Sequence, residues 1–216
     1  MPLTPRAAER LAREAVDKRF GPAARSLNYD WGTSLDGKQV QRWAEALGRV
    51  VAAVRDAEAA AFECGVRPAP PENEPELLVV GLDGGRVQER DKDPQTQSRW
   101  HEDKVATVTS YLRGDGKDPD DGGRPPQKLV TTHVATMGNS DAIALLARVE
   151  AERRGLRRAA DVVVMGDFAP WVDTARDERF AGCPRIGDYH HATEHLWDAA
   201  RTPPRSRPTW RRWRGS

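Results

Sequence analysis

The stretch VVVMGDFAPW, residues 162–171, decides how the chain is read. Three valines and a methionine make an apolar run that suits a buried strand, and Gly166 then leads directly to an acid, Asp167. A carboxylate is costly to bury without a partner. At the end of such a strand it is placed to meet something at the edge of a sheet. An aspartate that merely caps the turn of DFAPW fits the same residues, so the choice depends on what surrounds the stretch.

Working outward, NSDAIALLARVEAERRG (139–155) reads as a helix. Asn139 or Ser140 is its N-cap, Ala142, Leu145, Leu146 and Val149 form its buried stripe, and Gly155 stops it. KVATVTSYL (104–112) and KLVTTHVATM (128–137) are β-branched and alternating, and predict an antiparallel pair. LLVVGLDGG (77–85) is a continuous apolar run closed by glycines, which predicts a strand covered on both faces. Downstream, PRIGDYHH (184–191) predicts another buried strand and ATEHLWDAAR (192–201) a closing helix. The order makes an α/β chain with a mixed sheet. If the helical crossover at 140–155 returns the strand at 161–166 beside the first strand, Asp83 and Asp167 come within a few ångströms of each other. That is the arrangement of an RNase H-like fold.

Two such carboxylates repel, and a divalent cation removes the difficulty. Magnesium takes hard oxygen ligands, keeps several waters and leaves positions for phosphate oxygens, and manganese behaves similarly. Asp83 and Asp167 are therefore the candidate metal ligands, and paired ions on them suit phosphodiester displacement. A second cluster lies in DYHHATEHLW (188–197), where His191, Glu194 and His195 share one face of a helix. Zinc ligation with Asp188 and a plain packing role both fit it, since the spacing is not HExxH.

Composition sets the remaining bounds. The chain has 216 residues, 34 Lys+Arg against 33 Asp+Glu, and two cysteines in no metal or disulfide pattern. Mean hydropathy is -0.73. With no apolar run of membrane-spanning length and no apolar leader, a soluble cytoplasmic protein is expected. Residues 1–64 predict a helical segment of two helices, near 4–20 and 37–65, with RSLNYDWGTSLDG (25–37) as the turn between them. Ala7, Leu11 and Val16 mark one stripe, and Val40, Trp43, Leu47, Val50, Val51 and Val54 the other. A helix-turn-helix reading DNA through Lys38, Gln39 and Arg42 is one interpretation, a plain helical hairpin the other. Residues 65–76, rich in proline and acid, read as a linker, and 77–200 as the catalytic domain. From Arg201 the tail holds six arginines and no acid. Arg211 and Arg212, beside Trp210 and Trp213, are candidate DNA contacts, and an ordinary basic end is the alternative.

Four ordered blocks, VVGLDGG (79–85), SRWHEDKVATV (98–108), VVVMGDFAPWV (162–172) and GDYHHATEHLW (187–197), resemble the bacterial insertion-sequence transposases of the ISKra type, in the Mutator-like DDE group. NYDWGTSLDGKQVQRWAEALG (28–48) is similar to the region before their catalytic domain. The resemblance implies metal-dependent DNA cleavage and strand transfer at terminal repeats, with self-association. It implies that Asp83 and Asp167 are the first and second catalytic aspartates, and that Asp188 and His191 form the D-x-x-H signature. Trp100, Glu102 and Lys104 fall in a W-x-E-x-K block, and Glu194 and His195 in the EHL block. Phe168 departs from the usual glycine, and its ring is expected to narrow access to the metal. Family members continue to a third acid that nothing after Arg201 resembles. The sequence therefore reads as a truncated, incomplete catalytic domain with weakened metal binding, and Glu194 is a poor substitute for that acid.

Overall fold

The computed structural model describes residues 3–89, 92–117 and 119–201. The chain divides into two compact units, residues 1–66 and 67–216. In the first, α1 (Pro5–Asp17), α2 (Phe20–Trp31) and α3 (Gly37–Glu63) pack around Leu11, Ala23, Ala24, Leu27 and Val40. Three helices stand where the sequence predicted two. The turn-like residues from Arg25 to Trp31 are helical, because Asn28 acts from inside α2. Its side chain donates to the Leu35 carbonyl at 2.9 Å and accepts from the Leu35 amide at 2.7 Å, tying down the loop that follows. The chain turns only at Gly32, whose φ of 62° ends the helix. α3 then opens on a capping box formed by Asp36 and Gln39.

The predicted apolar stripes are partly displaced. Leu11 and Ala15, one turn apart, face the core of the first unit, so Val16 points about 100° away and is 84% exposed. On α3, Trp43 and Leu47 join the core, whereas Val50, Val51 and Val54 are exposed.

The second unit is built on five strands in the order β3-β2-β1-β4-β5. They are β1 (Leu77–Gln88), β2 (Trp100–Leu112), β3 (Gln127–Thr136), β4 (Asp161–Gly166) and β5 (Arg185–Gly187). The first three are antiparallel neighbours, β4 runs parallel to β1, and β5 parallel to β4. α4 (Ser140–Arg153) crosses from β3 to β4, α5 (Pro170–Arg179) joins β4 to β5, and α6 (Tyr189–Arg201) follows. This is an α/β, RNase H-like mixed sheet.

Leu78, Val80 and Leu82 of β1, Ala106 and Val108 of β2 and Val164 of β4 are buried against Ile143, Ala144 and Ala147 of α4 and Val172 and Phe180 of the α5 region. Leu77, Val79 and Gly81, pointing the other way, are only half-buried. The expectation of a strand covered on both faces is therefore corrected. A run of apolar residues reports β propensity as well as burial, and the two look alike in sequence. β5 is likewise no buried strand, since it has three residues and Ile186 is exposed. α4 begins where predicted, with Asn139 accepting from the Ala142 amide at 2.9 Å, and Gly155 follows it with φ 95°. Leu146 and Val149 of its predicted stripe are buried, whereas Ala142 and Leu145 are only half-buried and Ile143 and Ala144 are buried instead. Among the described residues no helix is long and apolar enough to cross a membrane.

Candidate metal centre

β1 and β4 pair in parallel register up to Leu82 opposite Gly166. The next residue on each strand is an aspartate, so Asp83 and Asp167 leave adjacent strands at the same level. α6 brings a third group to them. One ligand atom from each of Asp83, Asp167 and His191 lies within 4.8 Å of the others. Asp83 is exposed, and Asp167 and His191 are half-buried.

Each side chain is held by its own local structure. Asp83 accepts from the Gly84 amide at 2.8 Å, and Asp167 from the Ala169 amide at 3.0 Å. The turn-capping reading of Asp167 is thus satisfied by one of its oxygens, while the same carboxylate stands in the cluster. Arg185 donates to the Asp167 carbonyl and pairs with Asp173 at 3.0 Å, fixing the turn between β4 and α5. The Asp188 amide donates to the Gly166 carbonyl at 2.9 Å, which pins the start of α6 beside the end of β4. The Asp188 side chain accepts from the His190 amide at 2.7 Å, and its other oxygen stands 3.8 Å from His191 Nδ1. The His190 amide, with a smaller contribution from the His191 amide, holds the Asp188 carboxyl below the usual range.

The donor set suits a divalent cation. Two carboxylates give hard oxygens and the imidazole a borderline nitrogen, a combination that manganese accepts readily and magnesium less so. Ligand atoms on one octahedral ion with bonds near 2.1 Å stand about 3 to 4 Å apart. The three groups therefore reach a single ion by closing less than about 1 Å.

The other predicted residues take different places. Asp188 stands behind His191 rather than in the cluster. Glu194 is exposed on α6 and outside the cluster, and the His195 side chain lies outside the described residues. Lys38, Gln39 and Arg42 are exposed on the first turns of α3, but the Gln39 side-chain oxygen is engaged by the Asp36 amide at 2.8 Å. Arg211 and Arg212 lie outside the described residues. Trp100 is exposed, while Lys104 is buried, pairs with Glu102 at 2.8 Å and sits 5.7 Å from the centre of the Trp171 ring. That bond with Lys104 holds the Glu102 carboxyl below its ordinary range. Phe168 is 53% exposed, with Arg185 5.9 Å from its ring centre. Its ring fills the space beside Gly187, where an added Cβ would meet it at 2.8 Å.

Sequence reasoning singled out His191 for its D-x-x-H spacing but did not place it beside the two aspartates. It passed over Asp103 altogether. That residue lies between the two charged residues of the W-x-E-x-K block, and only the pairing register reveals that it shares a sheet face with Asp83.

No protein-family model and no curated protein matches this chain. Among solved structures, it is similar to a chain described as "Drosophila P element transposase strand transfer complex", at 11% sequence identity and a TM-score of 0.39. The similarity covers 92% of this chain and 44% of that one, so the present chain spans less than half the length of the structure it matches.

Proposed function

We propose that this chain is a transposase of the DDE type, similar to the ISKra insertion-sequence enzymes, acting on DNA phosphodiesters with magnesium or manganese. The observation that carries the reading is the convergence of Asp83, Asp167 and His191 from β1, the end of β4 and the first turn of α6. Three structurally separate segments deliver metal-type ligands to one point, and the sequence resemblance independently assigns the two aspartates to catalysis. A divalent cation held there supplies Lewis-acid activation of the attacking oxygen and neutralises charge at the phosphate. The protein's part is positional. Asp83 and Asp167 orient their carboxylates through the Gly84 and Ala169 amides, and Asp188 orients the imidazole of His191. The nucleic-acid strand approaches from the exposed side of Asp83, and the N-terminal helices contribute phosphate contacts through Lys38 and Arg42.

The test is cleavage of DNA carrying insertion-element terminal repeats, with magnesium or manganese and with chelator. Cleavage that needs the metal and disappears in Asp83→Asn and Asp167→Asn is expected. Cleavage unchanged in both variants would refute the assignment.

A further inference from the structure

We propose that the cavity between the start of β2, the end of β3 and the first turn of α5 holds an unpaired guanine of the DNA strand being processed, and that Glu102 and Lys104 read it; the proposal rests on the transposase reading above. The cavity measures about 610 Å³, and Glu102, Lys104, Met137, Ser140 and Trp171 stand in its wall. Lys104 and Glu102 lie opposite Gly84 and Arg86 of β1. Two and four residues before the buried Ala106, they share its side of β2, which faces α4. Asp83, opposite Val105, points to the other side of the sheet. The two residues after Asp83 are glycines, and β4 pairs with β1 only as far as Leu82. Gly84 and Gly85 thus put no side chain between the aspartates and the cavity. Trp171 lies across Gly84, its Cζ2 3.9 Å from where a Cβ would stand.

The wall selects the kind of ligand. Lys104 is only 6% exposed, and Glu102 accepts from its ammonium at 2.8 Å. One carboxylate oxygen uses one of three N–H groups, so a buried ammonium keeps donors to offer an acceptor inside the cavity. A phosphate is disfavoured there, because the carboxylates of both Glu89 and Glu102 line the space with the single ammonium. An uncharged planar ring suits it better. The indole of Trp171 and the Met137 side chain supply apolar surface, and every base has a face that stacks on an aromatic ring.

The Lys104–Glu102 pair then selects among the bases. It presents a donor beside an acceptor with two oxygens. Guanine carries O6, an acceptor, next to two donors, N1–H and the N2 amino group, on one edge. The ammonium meets O6 and the carboxylate accepts from both nitrogens. Adenine, cytosine and thymine each offer the carboxylate a single donor group beside the acceptor. A guanine held here anchors its strand at the end of β1, where the metal centre stands on the opposite face.

End-labelled single-stranded thymine nonamers with only the central base varied, titrated into the full chain in chelator and read by fluorescence anisotropy, test this without metal or cleavage. Central guanine is expected to bind roughly tenfold tighter than adenine, cytosine or thymine. Hypoxanthine, which lacks the N2 amino group, is expected to fall between. Glu102→Gln, nearly isosteric, is expected to erase the guanine preference and leave thymine binding unchanged. Trp171→Ala is expected to weaken all four bases alike and Trp171→Phe to restore them, with circular dichroism confirming that the variants fold. Nonamers that bind alike whatever their central base, or a guanine preference that survives Glu102→Gln, overturn the proposal. Metal-dependent cleavage that disappears in Asp83→Asn would in that case still support the transposase reading. A guanine preference lost in Glu102→Gln, in a chain whose cleavage ignores Asp83→Asn, supports the base site and overturns the metal centre alone.

Discussion

The Asp188 carboxylate stands 3.8 Å from His191 Nδ1, three residues away at the start of α6. The distance is too long for a hydrogen bond. The same carboxyl is held ionised by the His190 amide, so it favours the proton on Nδ1 and leaves the Nε2 lone pair for a metal. Carboxylates placed behind ligating histidines typically change metal affinity by about 10 to 100-fold. Asp188→Asn keeps the hydrogen bond to the helix start, since asparagine caps as well as aspartate. It should therefore retain its melting temperature while losing manganese affinity in calorimetry. Asp188→Ala should lower both. An asparagine variant that binds manganese at full strength would reduce Asp188 to a cap.

Gly166 is the last residue before Asp167, and there is no room for a side chain on it. A Cβ there would stand 2.8 Å from the Leu82 carbonyl oxygen and 2.9 Å from Val172 Cγ1. Backbone on the neighbouring strand cannot move aside cheaply. Gly166→Ala should cost about 1 to 3 kcal/mol in denaturant melts, as overpacking does. It should also weaken metal binding, because it pries β4 from β1 where the two aspartates leave. Gly48, inside α3 with nothing within 4 Å of its Cβ position, is the control. Gly48→Ala should stabilise by up to about 1 kcal/mol.

The sheet was legible because its signals were redundant. Alternation in 104–112 and 128–137, an N-cap at Asn139 and an apolar run before Asp167 all point to one topology, and that topology sets Asp83 beside Asp167. β4 is nevertheless not the buried strand expected, since Val162 and Val163 are half-buried and Met165 is exposed. Less was legible where a residue's chemistry acts at a distance. Asn28 looks like a turn former and instead ties a loop from within a helix. Val50, Val51 and Val54 continue a helical stripe past the partners that would bury it. The approach of His191 to the two aspartates depends on strand register and on the α6 entry angle, which no local pattern in the sequence encodes.

Glu14 gives the N-terminal helices a dependence on acid. It is 7% exposed and bonded to Lys18 at 2.6 Å, with Arg10 at 3.2 Å. The Lys18 hydrogen bond, followed by Ser26, holds its carboxyl below the ordinary glutamate range. A group whose pKa is lowered by folding contributes stability that is fully present above its unfolded pKa, about 4.3 for glutamate. That contribution is lost as pH falls through the lower folded value. Circular dichroism melts should show helix stability declining below about pH 4.3, and Glu14→Gln should flatten that part of the profile. A variant with the same acid profile as the unaltered chain would assign the loss to other carboxylates.

DNA binding and metal binding should separate in mutants, because the residues proposed for each lie in different units. Lys38 and Arg42 are exposed at the start of α3 and carry charge without a structural task there, whereas Gln39 is committed to the cap. A lysine or arginine that contacts one phosphate contributes about one unit to the slope of log affinity against log salt. Lys38→Ala and Arg42→Ala should each reduce that slope by about one, equally for specific and random DNA, and leave manganese binding intact. Asp83→Asn should do the reverse, losing manganese while the salt slope is preserved. If the two basic variants keep the full slope, the phosphate contacts lie elsewhere.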